Sequence, residues 1–396
     1  MAGEVEVLHR WASGGEAAAV RELQHMLEKE GHTWKDFAVA GGAGANAMTA
    51  LKSRVMAGNP PSAAQVKGPQ IQEWAQLGVL SDIDDVARAG GWDALVPKVV
   101  ADIMKYKGHW VAVPVNVHRI NWMWCNPEVF KKAGAQYPRT WDDFFVACEK
   151  IKQAGFIPVA FGGQPWQEAT VWESIVAGVG GPGYYQSALV NADEEALAEP
   201  NMIKAMEIFK KIKIYTDKNA PGRDWNLATA MVVKGEAAMQ FMGDWAKEEF
   251  SAVGKVPGRD YDALPAPDTN DVFIFDVDSF IMFEVKNPEA QKALKAMARL
   301  IMSPDFQIAF NVNKGSIPVR SGISEKSFDA VTVAAMQDFE ATARYGGLLP
   351  SMAHEMAVSP AVRAAMFDVV TRFYNSDMAA EEAARQLAAT VREAKM

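Results

Sequence analysis

Val5-Glu6-Val7-Leu8-His9-Arg10-Trp11-Ala12-Ser13-Gly14-Gly15-Glu16 is an alternating apolar strand that ends in His-Arg-Trp and breaks at Ser-Gly-Gly. An Ala-rich helical segment follows at once. A period of 2 that gives way to 3.6 across a glycine break is how a strand feeds a helix in an α/β layer. Ligands in such folds collect outside the carboxyl ends of parallel strands. The stretch therefore predicts a pocket and places His9, Arg10 and Trp11 at its edge.

The same alternation continues downstream. Val20, Leu23, Met26 and Leu27 make one apolar face of the first helix, which Gly31 closes. Thr33 to Ala40 reads as a second strand, and Asn46 to Met56 as a second helix with Ala47, Leu51 and Val55 on its face. A short strand over Ser62 to Val66 leads through Lys67-Gly68-Pro69 into a helix over Gln70 to Leu77. This βαβαβ run is one half of a doubly wound sheet. Beyond it, Trp110 to His118 and Ile120 to Trp124 are extended and interrupted by Pro114. Thr140 and Asp143 make a capping box ahead of the apolar face Phe144, Phe145, Cys148 and Ile151. Helices are expected over 166–179, 201–215 and 288–302, strands over 158–161, 237–242 and 273–283, and mostly helix from Ala361 on.

At 396 residues the chain exceeds one ordinary core, so two lobes are expected. It contains no internal repeat and no low-complexity linker, so the lobes are joined by several ordered crossings and not by one flexible tether. A hydrophobic content of 49% with 22% charged residues is that of a globular protein. The net charge of −9, with Lys and Arg scattered, argues against a nucleic-acid partner or an anionic membrane surface. Apolar runs are too short for a membrane-spanning helix or direct membrane insertion. No signal peptide is visible at Met1-Ala2-Gly3, a start that fits a mature secreted chain whose leader has been removed. Cys125 and Cys148 are compatible either with two buried thiols or with a disulfide, and two cysteines do not make a metal site.

Enzyme signatures are mostly absent. Gly42-Ala43-Gly44-Ala45-Asn46-Ala47 fits a loose dinucleotide pattern. The acidic residue expected roughly 20 positions on is missing, so no nucleotide cofactor is implied. No phosphate-binding loop, no zinc-protease helix and no nucleophile elbow occurs, and no two of the six His stand at metal-ligand spacing. Twelve Trp is a high count, and Trp11, Trp122, Trp124, Trp166, Trp225 and Trp245 sit beside Gly, Pro or Asn, where strand ends and loops fall. Aromatics at loop edges suit a planar-faced ligand such as a carbohydrate, although core duty accounts for most single ones. Asp276 lies in a run too apolar for a solvated loop and needs donors. A buried structural pair and a carboxylate that accepts from ligand hydroxyls both satisfy that need. Lys67 and Lys314 at segment ends, and His354 in an apolar stretch, each have an ordinary surface or core reading as well. The residues alone reach a two-lobed α/β binder of a small polar molecule.

Taken together, the chain resembles the periplasmic solute-binding proteins of bacterial ABC sugar transporters, in particular the glucose-binding branch. The markers are Val7-Leu8-His9-x-Trp11-x-Ser13-Gly14-Gly15-Glu16, Trp34 to Gly42, Pro60-Pro61-x-Ala63-x-Gln65-x-Lys67-Gly68 and Val113-Pro114-Val115-Asn116-x-His118-Arg119. Phe241-Met242-Gly243-Asp244-Trp245, Asp276-x-Asp278-Ser279-Phe280, Asn287-Pro288-Glu289-Ala290-Gln291 and Lys314-Gly315-Ser316-Ile317-Pro318 complete the series. The resemblance implies an α/β, two-lobed periplasmic-binding-protein-like fold with a ligand cleft between the lobes and a multi-strand hinge. One lobe would comprise 1–112 with 277–317, and the other 113–276 with 318–396. It also implies a periplasmic, monomeric protein that is not an enzyme. Such a protein needs no cofactor or metal, captures a monosaccharide and delivers it to a membrane-embedded ABC permease.

By the same resemblance Lys67, Asp276, Lys314 and His354 hold sugar hydroxyls and Trp11 stacks on the pyranose. Glu16, Asn116, His118 and Trp245 stand near the cleft. Charged partners make stronger hydrogen bonds to hydroxyls than neutral ones do. The departure is Arg10, because glucose-branch proteins carry two adjacent tryptophans after the histidine. An Arg turned inward either stacks on a sugar face or reads a carboxylate bidentately, the latter favouring a uronic acid over a neutral aldohexose. An Arg turned outward leaves specificity unchanged. Two other classes share parts of this reading: a carbohydrate-active enzyme using Asp276, and a sensor that feeds a signalling receptor.

Overall fold

The structure, a computed structural model, describes residues 2–12, 14–40 and 44–396. Ser13 and Gly41 to Ala43, on which part of the strand-break and dinucleotide-like readings falls, lie outside the described residues. The strands in chain order are β1 (Glu4–His9), β2 (Thr33–Ala38), β3 (Ala63–Gln65), β4 (Lys105–Tyr106), β5 (His109–Trp110), β6 (Ala112–Arg119) and β7 (Trp122–Cys125). There follow β8 (Ile157–Val159), β9 (Ala237–Phe241), β10 (Asp262–Pro265), β11 (Phe273–Met282), β12 (Ile317–Pro318) and β13 (Leu348–Pro350). The chain divides into two compact units, Met1–Val117 with Val277–Phe328, and His118–Asp276 with Asp329–Met396. The division falls inside β6 and inside β11.

The first unit is doubly wound at its start. β1 pairs in parallel with β2 on one side (Val7 opposite Asp36) and with β3 on the other (Val7 opposite Ala63). β11 then runs antiparallel to β3, with Phe280 opposite Gln65. Both β6 and β11 are buried along their whole length, as expected where both sheet faces are covered. Pro114 is tolerated within β6 because β12 pairs only with Asn116 and Val117, so no ladder bond is lost on that edge. The first helix, Gly14–Lys29, buries Val20, Leu23 and Leu27, while Met26 is half-buried at the edge of that face.

In the second unit β7 and β9 pair antiparallel (Trp124 opposite Gln240), and β8 joins β9 in parallel. The helix Trp141–Gln153 starts where Thr140 Oγ1 accepts the Asp143 N–H at 3.0 Å. It buries Phe144, Cys148 and Ile151 in a core shared with the helices Pro200–Ile212, Pro360–Tyr374 and Ala380–Lys395. The helix expected over 166–179 starts at Pro165 and breaks at Gly181 (φ 78°, ψ −178°), the residue before Pro182, and a second helical segment follows to Tyr185. Cys125 and Cys148 are both free and buried. No helix among the described residues is long and apolar enough to cross a membrane.

Candidate functional site

The polar residues singled out in the sequence gather into two groups, one within each unit. In the first unit they sit at the ends of β1 and β3. The register that sets Phe280 opposite Gln65 carries Asp278 to the level of Lys67, two residues further along. There Lys67 Nζ lies 3.5 Å from Asp278 Oδ1, Arg10 Nη2 lies 3.7 Å from the same oxygen, and Gln65 Nε2 donates to it at 3.4 Å. Gln65 also fixes the strand end, because its Oε1 accepts the Arg10 backbone N–H at 3.0 Å. The carboxylate on which Arg10 and Lys67 converge is thus Asp278, the residue one β-repeat after Asp276. Arg10 follows neither expected course fully: its side chain passes over Gly44, where a Cβ would meet Nη1 at 2.8 Å, and ends at Asp278.

Trp11 is 2% exposed and belongs to the core of its unit. Its indole meets the Phe280 ring edge-on at 5.7 Å and the Phe310 ring at 5.2 Å. Its backbone N–H donates to His9 Nδ1 at 3.2 Å, so the His9 proton sits on Nε2 and is given to Asp36 Oδ1 at 2.7 Å. Burial pushes the Asp36 carboxyl up, but the hydrogen bonds from His9 and Trp34 outweigh it and hold the group below the usual aspartate range. Lys314, at the end of the helix Pro304–Lys314, donates to Glu16 Oε1 at 2.8 Å. Asn116 donates to Ser316 Oγ at 2.9 Å, and Ser316 donates on to Asn311 Oδ1 at 2.7 Å.

In the second unit the centre is Trp245, a half-buried indole. The His118 ring lies 5.8 Å from it, the His354 ring 5.1 Å and the Trp166 ring 6.4 Å, and Trp166 also meets His354 edge-on at 6.0 Å. The indole lies over Gly243, where a Cβ would come within 2.3 Å of the ring. His118 is held by Asp244, Nδ1 to Oδ1 at 2.6 Å, and Asp244 Oδ2 accepts the Arg119 backbone N–H at 3.3 Å. Arg119 itself is buried between the Trp122 and Phe273 rings, with Nη1 2.6 Å from Asp338 Oδ2. His354 Nε2 is 2.9 Å from Thr170 Oγ1. Asp276 lies on the part of β11 that pairs with β13, and its charge acts on the Arg363 guanidinium.

Of the ten residues marked in the sequence, the structure joins Arg10 with Lys67, Glu16 with Lys314, and His118 with Trp245 and His354. Asn116, Trp11 and Asp276 are placed in other contacts. Gln65, Asp278, Asp244 and Thr170 were not among the ten, and Trp166 was named only as a loop-edge aromatic. Asp278 carried a signal, since residues two apart on a strand share a face. Trp166 stood just after the Gly162-Gly163-Gln164-Pro165 break. Elsewhere, Asp82, Asp84 and His109 bring ligand atoms within 4.8 Å of one another, but Asp82 and His109 are exposed and Asp84 already occupies His109 at 2.7 Å. A surface concavity of about 640 Å³, lined by Tyr184, Asp193, Glu194 and Lys395 among others, contains none of the marked residues.

Indole and imidazole rings beside charged hydrogen-bonding side chains form a chemistry suited to polyols: apolar C–H faces stack, and hydroxyls bridge donor and acceptor. Comparison with known proteins agrees in kind. The family model described as bacterial extracellular solute-binding protein matches residues 13–304. A probable sugar-binding periplasmic protein of Brucella suis biovar 1 is 45% identical, over 99% of this chain and 92% of its own. Among solved structures, a chitin oligosaccharide binding protein superposes with a TM-score of 0.83 at 20% identity, covering 99% of this chain and 98% of its own. The bacterial solute receptor AcbH, described by an exclusive preference for β-D-galactopyranose, gives 0.83 at 19%, with the same coverage.

Proposed function

Because the chain belongs to the bacterial extracellular solute-binding proteins, we propose that it captures a neutral monosaccharide, an aldohexose such as glucose, and delivers it unchanged to the permease of an ABC importer. The Brucella suis relative is named a probable sugar-binding periplasmic protein, which supports a sugar ligand and a location outside the cytoplasmic membrane. The two superposing structures carry the fold argument only, at 20% and 19% identity.

The observation that supports the ligand reading is the half-buried indole of Trp245, edged by His118 and His354 and 6.4 Å from the Trp166 ring. One indole face matches one pyranose ring, and the flanking imidazoles supply hydrogen bonds at its rim. Within the second unit His354 is the hydroxyl partner beside this ring, and within the first unit Lys67, Asp278 and Lys314 are charged groups of the kind that bind hydroxyls. Glu16, Asn116 and Asp276 stand behind them as supporting polar groups. Neutrality follows from Arg10. Its guanidinium leans on Asp278, so the cation that would read a sugar carboxylate already faces one from the protein.

Titration of the purified protein, followed by Trp emission, tests this. Glucose or galactose is expected to give a saturable response, glucuronate one at least tenfold weaker, and Trp245→Ala at least a tenfold loss. Tighter binding of glucuronate, or a response to chitobiose with none to any monosaccharide, overturns the proposal.

A further inference from the structure

We propose that Thr170 and Glu173, one turn apart on the helix Pro165–Tyr185, are positioning residues that hold His354 with its proton on Nε2 and its Nδ1 lone pair as the acceptor for a ligand hydroxyl. This rests on the reading above that His354 touches the sugar.

Trp166, Thr170 and Glu173 recur at the spacing of one helical face. Each acts on His354 differently. Thr170 has one hydroxyl proton, and it goes to the carbonyl of Trp166 at 2.8 Å, the residue one turn back. With that proton on the carbonyl, the hydroxyl is left to accept from His354 Nε2, 2.9 Å away, and this pairing selects the imidazole with its proton there. Neutral imidazole with hydrogen on Nε2 keeps its lone pair on Nδ1. Trp166 meets the same ring edge-on and limits its tilt.

Glu173 sets the backbone that carries the ring. It is fully buried, and its Oε1 accepts from Ser351 Oγ at 2.7 Å while Oε2 accepts from the Ala353 N–H at 3.0 Å and from the Tyr185 hydroxyl at 3.1 Å. Ser351 Oγ in turn accepts the His354 N–H at 3.0 Å. Arg363 closes the loop from outside through two bonds to the Ala353 carbonyl, at 3.0 and 2.7 Å. The next residue, Glu355, has φ 67°, a left-handed conformation that a non-glycine residue keeps only when its surroundings impose it. A carboxylate placed in the core with two donors from one short loop and a third from Tyr185 is an expensive way to make a turn and an effective way to fix one.

The test is made on the whole chain with Thr170→Val, Thr170→Ser, Glu173→Gln and His354→Ala, using D-glucose and D-galactose as probes. Long-range proton–nitrogen correlation spectra at pH 8.5 report each imidazole tautomer, and His354→Ala identifies the resonance. The wild type and Thr170→Ser are expected to show hydrogen on Nε2 of His354, and Thr170→Val a mixture of tautomers. Thr170→Val and Glu173→Gln are expected to weaken sugar binding at least fivefold, with Thr170→Ser within twofold of wild type. Hydrogen on Nδ1 in the wild type, or an unchanged tautomer in Thr170→Val, overturns the proposal even if Glu173→Gln fails to fold. Loss of binding in His354→Ala, with full binding in Thr170→Val and Glu173→Gln, overturns the positioning alone. Full binding in His354→Ala removes His354 from the ligand site, and the proposal falls with it.

Discussion

The Arg10 guanidinium reaches Asp278, Nη2 to Oδ1 at 3.7 Å, and shares that oxygen with Lys67 at 3.5 Å. The position where this chain departs from the glucose-branch pattern is therefore tied to an acidic residue of the protein. Arg10→Trp is expected to change the affinities for glucose and glucuronate by the same factor, leaving their ratio within twofold. Asp278→Asn removes charge-assisted hydrogen bonds worth about 1.5–3 kcal/mol, so sugar affinity falls by about 10- to 100-fold. Isothermal titration of both variants with both sugars checks this. A shift of tenfold or more toward glucose in Arg10→Trp would show the guanidinium reading a ligand carboxylate.

Gly243 lies under the Trp245 ring, and a methyl group there overlaps it at 2.3 Å. Gly243→Ala is expected to displace the indole and to lower sugar affinity about as much as Trp245→Ala does. Wild-type affinity together with an unchanged fluorescence response to sugar would show that the indole stays in place without the bare glycine.

Burial raises the Glu173 carboxyl to about 7, because three hydrogen-bond donors only partly offset the loss of water. Glu168 is pushed up to about 7 for the same reason. A carboxyl whose folded value lies above its unfolded one, 4.5 here, holds a proton in the folded state that the unfolded state has released. Its contribution to stability is complete below about 4.5, declines as pH rises toward 7 and is gone above that. For fully buried Glu173 the change amounts to about 3 kcal/mol. Asp217 acts in the opposite sense: the Arg223 hydrogen bonds hold it below its usual range, and its contribution is lost on further acidification. Denaturant unfolding at pH 5, 6, 7 and 8 is expected to show falling stability that levels off above 7. The decline should be smaller in Glu173→Gln, and an equal slope in that variant excludes Glu173 as a source.

Both thiols are pushed upward by burial and carry no partner sulfur. An aromatic disulfide reagent is expected to leave the native protein unlabelled and to titrate two thiols in denaturant. A reductant should not move the melting temperature. Labelling below two in denaturant would mean that the two cysteines are bridged.

The fold was largely legible because its signals are local. The break at Ser-Gly-Gly, the capping threonine at 140 and the apolar faces of the first two helices all specify their own neighbourhoods. Gly180-Gly181-Pro182 acts locally too and breaks the helix at Gly181, whereas the short helical segment that follows depends on packing of Tyr184 and Tyr185 into the core. The site was legible as residue types and not as partnerships. Nothing local says that residue 65 meets residue 278, or residue 170 residue 354. Such pairs are set by register and packing: Asp278 meets Lys67 because β3 and β11 align Gln65 with Phe280. Trp11 stood out as a binding aromatic from its strand-end position, yet it lies between Phe280 and Phe310, which come from distant parts of the chain.

That β3–β11 pairing also governs how the molecule can be made. β3 leaves the ribosome early, and its antiparallel neighbour follows only after a separation on the order of the 213 positions between Gln65 and Asp278. Until then Ala63 to Gln65 present an unpaired edge, a place where another chain can add. Closing so distant a contact is slow compared with forming the helices. The second unit waits longer still, since its segment from Asp329 onward is synthesised last. Each unit is therefore closed by a segment made long after its first one, and neither can finish folding ahead of that segment.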